Sequence, residues 1–396
     1  MSPATPNPVI PLNRPQLLEE DLQLVAESLR SGPLSAGPRT AEFEQLVAER
    51  TRRPHAISIC SGAMAIEVAL RAIGVGPGDE VLVPAFGFSS MPNAVLNVGA
   101  RPVFVDVDPM SLNMDPERAA KRIGAKTRAM LAALTFGNPC CLPELIALCS
   151  RMEIPMVENA AEALGTTFGD DNAGRFGRVA CLGFWTNRPV TTGEGGMIVT
   201  HDDTLAAACR AIRHQGRVDR MSFSGQPKDL GGILEYVTLP GYDARMNELT
   251  AALGCGQMRR LDATIAKRQD LVNAYLRCLA ANPDLVLPTV PSGASISWSN
   301  FVVRLSTRFT ADDRDAIIGV LHRQDIGAAN YYPAAHLLPH VRALTGTEPG
   351  DCPAAEAAAA RTIALPFHNA MTEDEVEIVC ATLEVAMERH GGIHRQ

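Results

Sequence analysis

The chain has 396 residues, 46% of them apolar and 20% charged, with a net charge of −8 and an isoelectric point near 5.6. Such a length allows two domains and a large buried core, while the acidic balance and the few aromatic residues argue against a nucleic-acid surface. No basic start followed by an apolar run and no membrane-length apolar window occurs, so a cytoplasmic protein without a membrane anchor is expected.

Leu18, Leu22, Val25 and Leu29 at helical spacing predict a helix over Gln16 to Arg30, stopped by Ser31-Gly32-Pro33. The loop LSAGPRT leads to a second helix, about Ala41 to Arg50, and His55 to Ile59 reads as a strand. A helix with Ile66, Ala69, Leu70 and Ile73 on one face follows Ser61-Gly62-Ala63. Strands at Glu80–Val83, Pro102–Val105, Ala129–Leu134 and Ile154–Val157 then alternate with helices at Ser89–Val98, Pro116–Ile123 and Leu142–Arg151. Two more short strands lie between Val179 and Thr200, joined by a polar, glycine-rich loop. Short apolar strands alternating with helices imply a mostly parallel sheet covered on both faces, with ligands at the carboxyl ends of its strands.

Beyond Thr200 the pattern changes. A helix near Asp203–His214 precedes a polar stretch, Gly216–Gly232, that reads as a mobile loop. Met246–Tyr275 is helical with an interruption near Leu261-Asp262; a strand near Trp298–Leu305 and helices near Asp312–Gln324, Ala354–Ala360 and Glu373–Arg389 follow. The expected organisation is a large α/β domain over 1–245, with its N-terminal helix packed on a smaller α+β domain over 246–396.

Ten scattered cysteines without a CxxC, and His336/His340 and His390/His394 pairs interrupted by Pro339 and Gly391-Gly392, predict reduced thiols and no metal site. At Ser61-Gly62-Ala63 a strand turns into a helix, which either cradles an anion on free N–H groups or is an ordinary N-cap. Asp106 and Asp108 read as turn-shaping residues before Pro109 rather than a carboxylate pair. Phe86 and Phe88 follow a strand, where a ring can stack on a planar ligand or join the core. Glu158, Asn159 and Glu162 end the Ile154 strand, so they either face the crevice or begin a solvated helix. Gly193-Glu194-Gly195-Gly196 alone reads as a hairpin turn.

Taken together the chain resembles the DegT/DnrJ/StrS family of nucleotide-sugar aminotransferases. The landmarks are SGAMAIEVAL from Ser61, GPGDEVLVPAFGF from Gly76, GARPVFVDVDP from Gly99, ENAAEALG from Glu158, TTGEGGMIVT from Thr191, GYDARMNELTAALG from Gly241, NYYPAAH from Asn330 and ALPFH from Ala364. The resemblance implies the fold type I architecture of pyridoxal-phosphate enzymes, with a mostly parallel seven-stranded sheet in an aspartate-aminotransferase-like α/β domain. It also implies that Arg188 stands where the family carries the lysine that links the cofactor, and a guanidinium cannot form that imine. Asn159 occupies the place of the aspartate that holds the pyridine nitrogen protonated. Ala63 replaces a phosphate-binding threonine, Gly183 a serine, Asp243 an asparagine donated to the partner subunit, and Glu162 a glutamine. Phe88 keeps the ring-stacking position.

Six departures in one pocket lead to the expectation of a biosynthetic protein that uses no cofactor. In that reading the former cofactor residues Ser61, Gly62, Ala63, Phe88, Asn159, Gly183 and Asp243 take a small carboxylate- or phosphate-bearing substrate, possibly a nucleotide-sugar. Arg188 anchors it, and Glu162 or Glu158 is the general base. Two alternatives stay open: a catalytically silent subunit paired with an active paralogue, and an enzyme binding pyridoxal or pyridoxamine phosphate (PLP, PMP) noncovalently. A homodimer is expected, or a heterodimer in the silent-subunit case.

Overall fold

Seven short apolar strands satisfy their backbone polar groups by pairing into one sheet. They are β1 (His55–Ile59), β2 (Glu80–Pro84), β3 (Arg101–Val105), β4 (Thr127–Ala133), β5 (Met156–Asn159), β6 (Val179–Gly183) and β7 (Gly196–Thr200). Their order in the computed structural model, which describes residues 9–218 and 239–390, is β1-β7-β6-β5-β4-β2-β3. Strand β7 runs antiparallel to both its neighbours, and the other pairs are parallel.

Side chains alternate across this sheet, as the strand period of two requires. Ile57, Val81, Val83, Leu131 and Ile198 face one core, beneath helices Gly62–Ala72, Ser90–Asn97 and Asp203–Ile212. Ala56, Leu82, Met130, Ala132 and Val199 face the other, beneath Pro38–Thr51, Leu142–Arg151 and Glu248–Arg259. Helix starts carry the side chains their orphan N–H groups need: Asp115, Asp202 and Asn247 cap three helices, and Thr310 with Asp313 forms a capping box.

A third core is built on an antiparallel sheet of β8 (Leu285–Val286), β9 (Phe301–Leu305) and β10 (Thr362–Leu365). Tyr275, Phe301 and Phe367 lie at its centre with Leu271, Ile317 and Leu383 around them. Ile10 joins this core from the N-terminal end of the chain, where its N–H and C=O bond Asp325 and Gly327. The expected division at residue 245 puts helix Glu248–Arg259 with the C-terminal part. Its Ala251, Cys255 and Met258 belong instead to the core under the large sheet, and the N-terminal helix Glu19–Ser31 packs against it there. The helical stretch breaks at Arg260 into Glu248–Arg259 and Leu261–Leu279. Residues 219–232 of the expected mobile loop lie outside the described residues. No helix among the described residues is long and apolar enough to cross a membrane.

Candidate functional site

Three segments meet at the carboxyl ends of β1, β5 and β6. The first is the start of helix Gly62–Ala72, where the Ser61 hydroxyl accepts the Met64 N–H at 3.2 Å. Ser61 is therefore a true N-cap, but Gly62 and Ala63, at the first two helical positions, have no intrahelical acceptor for their N–H groups. The second is the loop between β6 and β7. Main-chain bonds from Phe184 to Gly195, Thr192 to Phe184 and Arg188 to Trp185 fold it on itself, while the Phe184 ring anchors it on Phe43 at 4.9 Å. Gly196 is required here: a Cβ would lie 2.4 Å from the Ser61 carbonyl oxygen. Gly62 and Gly183 are also close, a Cβ on Gly62 falling 3.1 Å from the Gly183 Cα. The third is the turn after β5, which carries Asn159 and Glu162.

Glu162 is the hub. One carboxylate oxygen accepts from Arg188 Nη1 at 2.9 Å, from Asn300 Nδ2 at 3.0 Å and from the Tyr332 hydroxyl. The other accepts the Phe136 N–H at 2.8 Å, and the Glu162 carbonyl takes the Ser299 hydroxyl at 2.8 Å. Burial opposes the Arg188 charge, but Glu162 and Tyr332 outweigh it and hold the guanidinium more firmly protonated than usual. Burial, then the Glu162 charge, push the Tyr332 phenol well above its ordinary range, so it remains a donor. The backbone that carries Arg188 is itself held: Arg268 Nη2 reaches the Arg188 carbonyl at 3.4 Å, and Arg268 Nη1 bonds the carbonyls of Trp298 and Ser299 at 2.7 and 3.1 Å.

Of the candidates for the chemistry, Arg188 and Glu162 are brought together, as a buried ion pair. Glu162 is not the free general base expected, since its acceptor sites are taken by four donors. Glu158 is not in the crevice at all. Strand β5 runs two residues further than its apolar run suggests, so Glu158 and Asn159 point to opposite faces. The Glu158 carboxylate is fully buried on the far side, accepting the N–H groups of Gly174, Phe176 and Gly177 at 2.6, 2.9 and 3.0 Å. Burial raises its pKa against those three donors and Arg53.

The remaining candidates lie around the hub. The Asn159 side-chain oxygen accepts the Ala161 N–H at 3.2 Å. Phe88 is 57% exposed with its ring 6.1 Å from Tyr332, whereas Phe86 is wholly buried. Asp243 is exposed and lies 3.5 Å from Arg245. The Cys60 N–H ties this segment to β1 through the Ala244 carbonyl at 2.8 Å. Burial, with the charges of Asp243 and Glu194 adding to it, pushes the Cys60 thiol pKa up. Those two carboxylates thus stand near the helix start. Asp108 shapes a turn through the N–H groups of Met110 and Ser111; Asp106 instead accepts the N–H groups of Ala354 and Ala355, far along the chain.

The sequence of the DegT/DnrJ/EryC1/StrS aminotransferase family matches residues 15–384. The chain belongs to that family. It is 30% identical over 374 residues to the spore coat polysaccharide biosynthesis protein SpsC of Bacillus subtilis, spanning 94% of this chain and 96% of that protein. The aminotransferase TlmJ of Streptoalloteichus hindustanus is 30% identical and superimposes with a TM-score of 0.87 over 96% of this chain and 99% of its own. The PMP form of Spr1654 from Streptococcus pneumoniae, a sugar aminotransferase by its description, is 25% identical with a TM-score of 0.89 over the same shares.

In a DegT/DnrJ/EryC1/StrS protein this pocket can be tested against the family's cofactor. The cradle at Gly62 and Ala63 and the exposed Phe88 ring fit a phosphate and a planar ring. Arg188 does not fit covalent attachment, because it carries no amine and its guanidinium is committed to Glu162.

Sequence reasoning did not single out Tyr332, Asn300, Phe136 or Arg268 as site residues. Tyr332 sits in the NYYPAAH stretch, and Asn300 is a polar residue at the mouth of an apolar strand. Each is visible as a type but not as a neighbour of Glu162.

Proposed function

We propose that this chain serves a carbohydrate biosynthetic pathway and binds PLP or PMP noncovalently, with Arg188 a fixed cation beside the ligand rather than a reacting amine. The observation that carries this reading is the Arg188–Glu162 pair at 2.9 Å, which leaves no amine to form an imine, together with a helix start at Gly62 and Ala63 whose N–H groups have no intrahelical acceptor. When bound, the cofactor supplies an amino group and an electron sink for a sugar carbonyl. The chain's own residues would do the rest. Gly62 and Ala63 would donate to the phosphate, Phe88 would cover the ring, and Asn159 would offer the ring nitrogen an amide. Arg188, held protonated by Glu162, would orient an anionic group of the substrate. The membership in a family of aminotransferases, with SpsC and the PMP form of Spr1654 among the relatives, favours this over the cofactor-free reaction expected at first.

The test is titration of the purified protein with PMP and with PLP, read by absorbance and thermal stability. Saturable stabilisation is expected, about 2.7 kcal/mol at a hundredfold excess over Kd. Borohydride should leave the cofactor fully dialysable. No stabilisation at millimolar cofactor, or cofactor fixed to the chain after reduction, refutes the reading.

A second reading is a silent subunit beside a lysine-bearing paralogue. It is favoured by the saturation of Glu162, which leaves the hub without a free proton acceptor. Turnover by the homomeric protein alone rules it out.

A further inference from the structure

Cys140 and Cys141 sit side by side just before helix Leu142–Arg151, and both are half-buried. Their sulfur atoms are 3.8 Å apart, and the Ser111 hydroxyl lies 3.7 Å from the Cys141 sulfur. Cys141 takes the left-handed backbone conformation, with φ 67° and ψ −7°, and its side chain caps no N–H of the helix that follows. Neither thiol belongs to the three cores.

The same segment reaches the hub. Phe136 donates its N–H to Glu162 at 2.8 Å and lays its ring on Tyr332 at 5.4 Å. The buried Asn113 ties the two ends of the segment together. Its side-chain oxygen accepts the Thr135 N–H at 2.9 Å, while its amide donates to the carbonyls of Asn138 and Cys140 at 2.8 and 3.0 Å. The Asn138 side-chain oxygen accepts the Cys140 N–H at 2.9 Å. A disulfide brings its sulfurs to about 2.0 Å. Closing the pair therefore moves Cys140 and Cys141 and pulls on bonds that Asn113 shares with Thr135, next to Phe136.

We propose that Cys140 and Cys141 are a reversible oxidation site, closed to a disulfide by a small-molecule disulfide of the glutathione type, and that closure loosens the Phe136–Glu162 bond. Cys140 gives up its proton, and its thiolate attacks one sulfur of the reagent. A mixed disulfide forms, and the first reagent thiolate leaves and takes up a proton. The Cys141 sulfur then attacks the Cys140 sulfur, and the second reagent thiol leaves with the Cys141 proton. Two protein thiols are oxidised and one reagent disulfide is reduced to two thiols.

Burial pushes the Cys141 thiol up to about 12, so the first attack falls to Cys140. A bond between adjacent residues spans Cα atoms about 3.8 Å apart, below the usual range of about 4.4–6.8 Å, which makes it strained and easily reduced. Reach separates this pair from the other close thiols. Cys278 helps burial raise the Cys380 thiol pKa, which places those two near each other, but Cys380 is buried. Cys149 is also buried, with its sulfur 3.6 Å from that of Met130. The inference does not rest on how the cofactor is held, and it is tested on cofactor-free protein.

The folded protein is treated with oxidised glutathione, its remaining thiols are alkylated after unfolding, and it is digested with trypsin for mass spectrometry. The Ala129–Arg151 peptide should lose two hydrogen atoms while Cys149 is alkylated, and dithiothreitol should reverse the loss. In the oxidised protein, deuterium exchange at the Phe136 amide should be about tenfold or more faster, as expected for a lost hydrogen bond to a charged group. Cys140→Ser should abolish the loss of hydrogens, and Cys141→Ser should keep glutathione on Cys140. The oxidation site is overturned if the unsubstituted protein shows no loss of hydrogens or keeps glutathione on Cys140, or if the loss persists in Cys140→Ser. Unchanged exchange at Phe136 after oxidation overturns the link to the hub.

Discussion

Replacing Glu162 by glutamine is the most informative single perturbation of the hub. The amide oxygen still accepts from Asn300 and Tyr332, but the charge opposite Arg188 is gone. Breaking a buried ion pair by removing one partner costs about 3–5 kcal/mol. The two side chains retain 13% and 11% exposure, so about 2–4 kcal/mol is the better expectation here. Unfolding entropy near 2.1 cal/mol/K per residue gives about 0.8 kcal/mol/K for a chain of 396 residues. Glu162→Gln should therefore lower Tm by about 2–5 °C. Arg188→Met should cost less, about 1–3 kcal/mol, because Glu162 keeps three neutral donors. If the pair acts as a unit, the double variant recovers at least about 1.5 kcal/mol of the summed losses. Melting curves of the four proteins measure this. Losses that add within about 0.5 kcal/mol would show that Arg188 and Glu162 are neighbours rather than partners.

Glu158→Ala should orphan the N–H groups of Gly174, Phe176 and Gly177 and cost about 3 kcal/mol or more, while PMP binding by the folded variant stays unchanged; loss of binding would return Glu158 to the site. His368 titrates near 4 when folded and near its ordinary value when unfolded, so the unfolded chain binds a proton there that the native state does not. Stability should accordingly fall as pH drops from about 6.5 to about 4, by about 3 kcal/mol, since His368 is only 3% exposed. His368→Gln should flatten that part of the pH–stability curve, and an unchanged slope would refute the assignment. Arg188→Lys should not restore transamination, because Glu162 would hold the new ammonium and Asn159, an amide, would not hold a pyridine nitrogen protonated; a sugar-dependent amino transfer by that variant would show that the lysine alone was missing.

Much of the large sheet could be read directly, because helix and strand periods differ and Gly, Pro and Ser mark the breaks. His55–Ile59 and Leu142–Arg151 match residue for residue, and most other elements shift by one to three residues. The site was less legible, for two physical reasons. The end of an apolar run is not the end of a strand: β5 continues through two polar residues, and that extension sends Glu158 away from the pocket while leaving Asn159 near it. Contacts between distant segments also leave no local trace. Asp106 looks like a turn residue because its use as an acceptor for Ala354 and Ala355 depends on chain brought in by the fold. Tyr332 and Asn300 meet Glu162 for the same reason. Arg188 was found through the alignment of motifs, but its ion pair required coordinates.

The shared oxygen of Glu162 also constrains how this sequence can change. Arg188, Asn300 and Tyr332 all lean on one atom, so a neutral residue at position 162 cannot satisfy all three. A lysine arising at 188 would meet a carboxylate able to capture its amine. A glutamine arising at 162 would strand a buried guanidinium beside Arg268. The order of change therefore matters: lysine first keeps an ion pair but ties up the amine, whereas glutamine first leaves a buried cation unpaired.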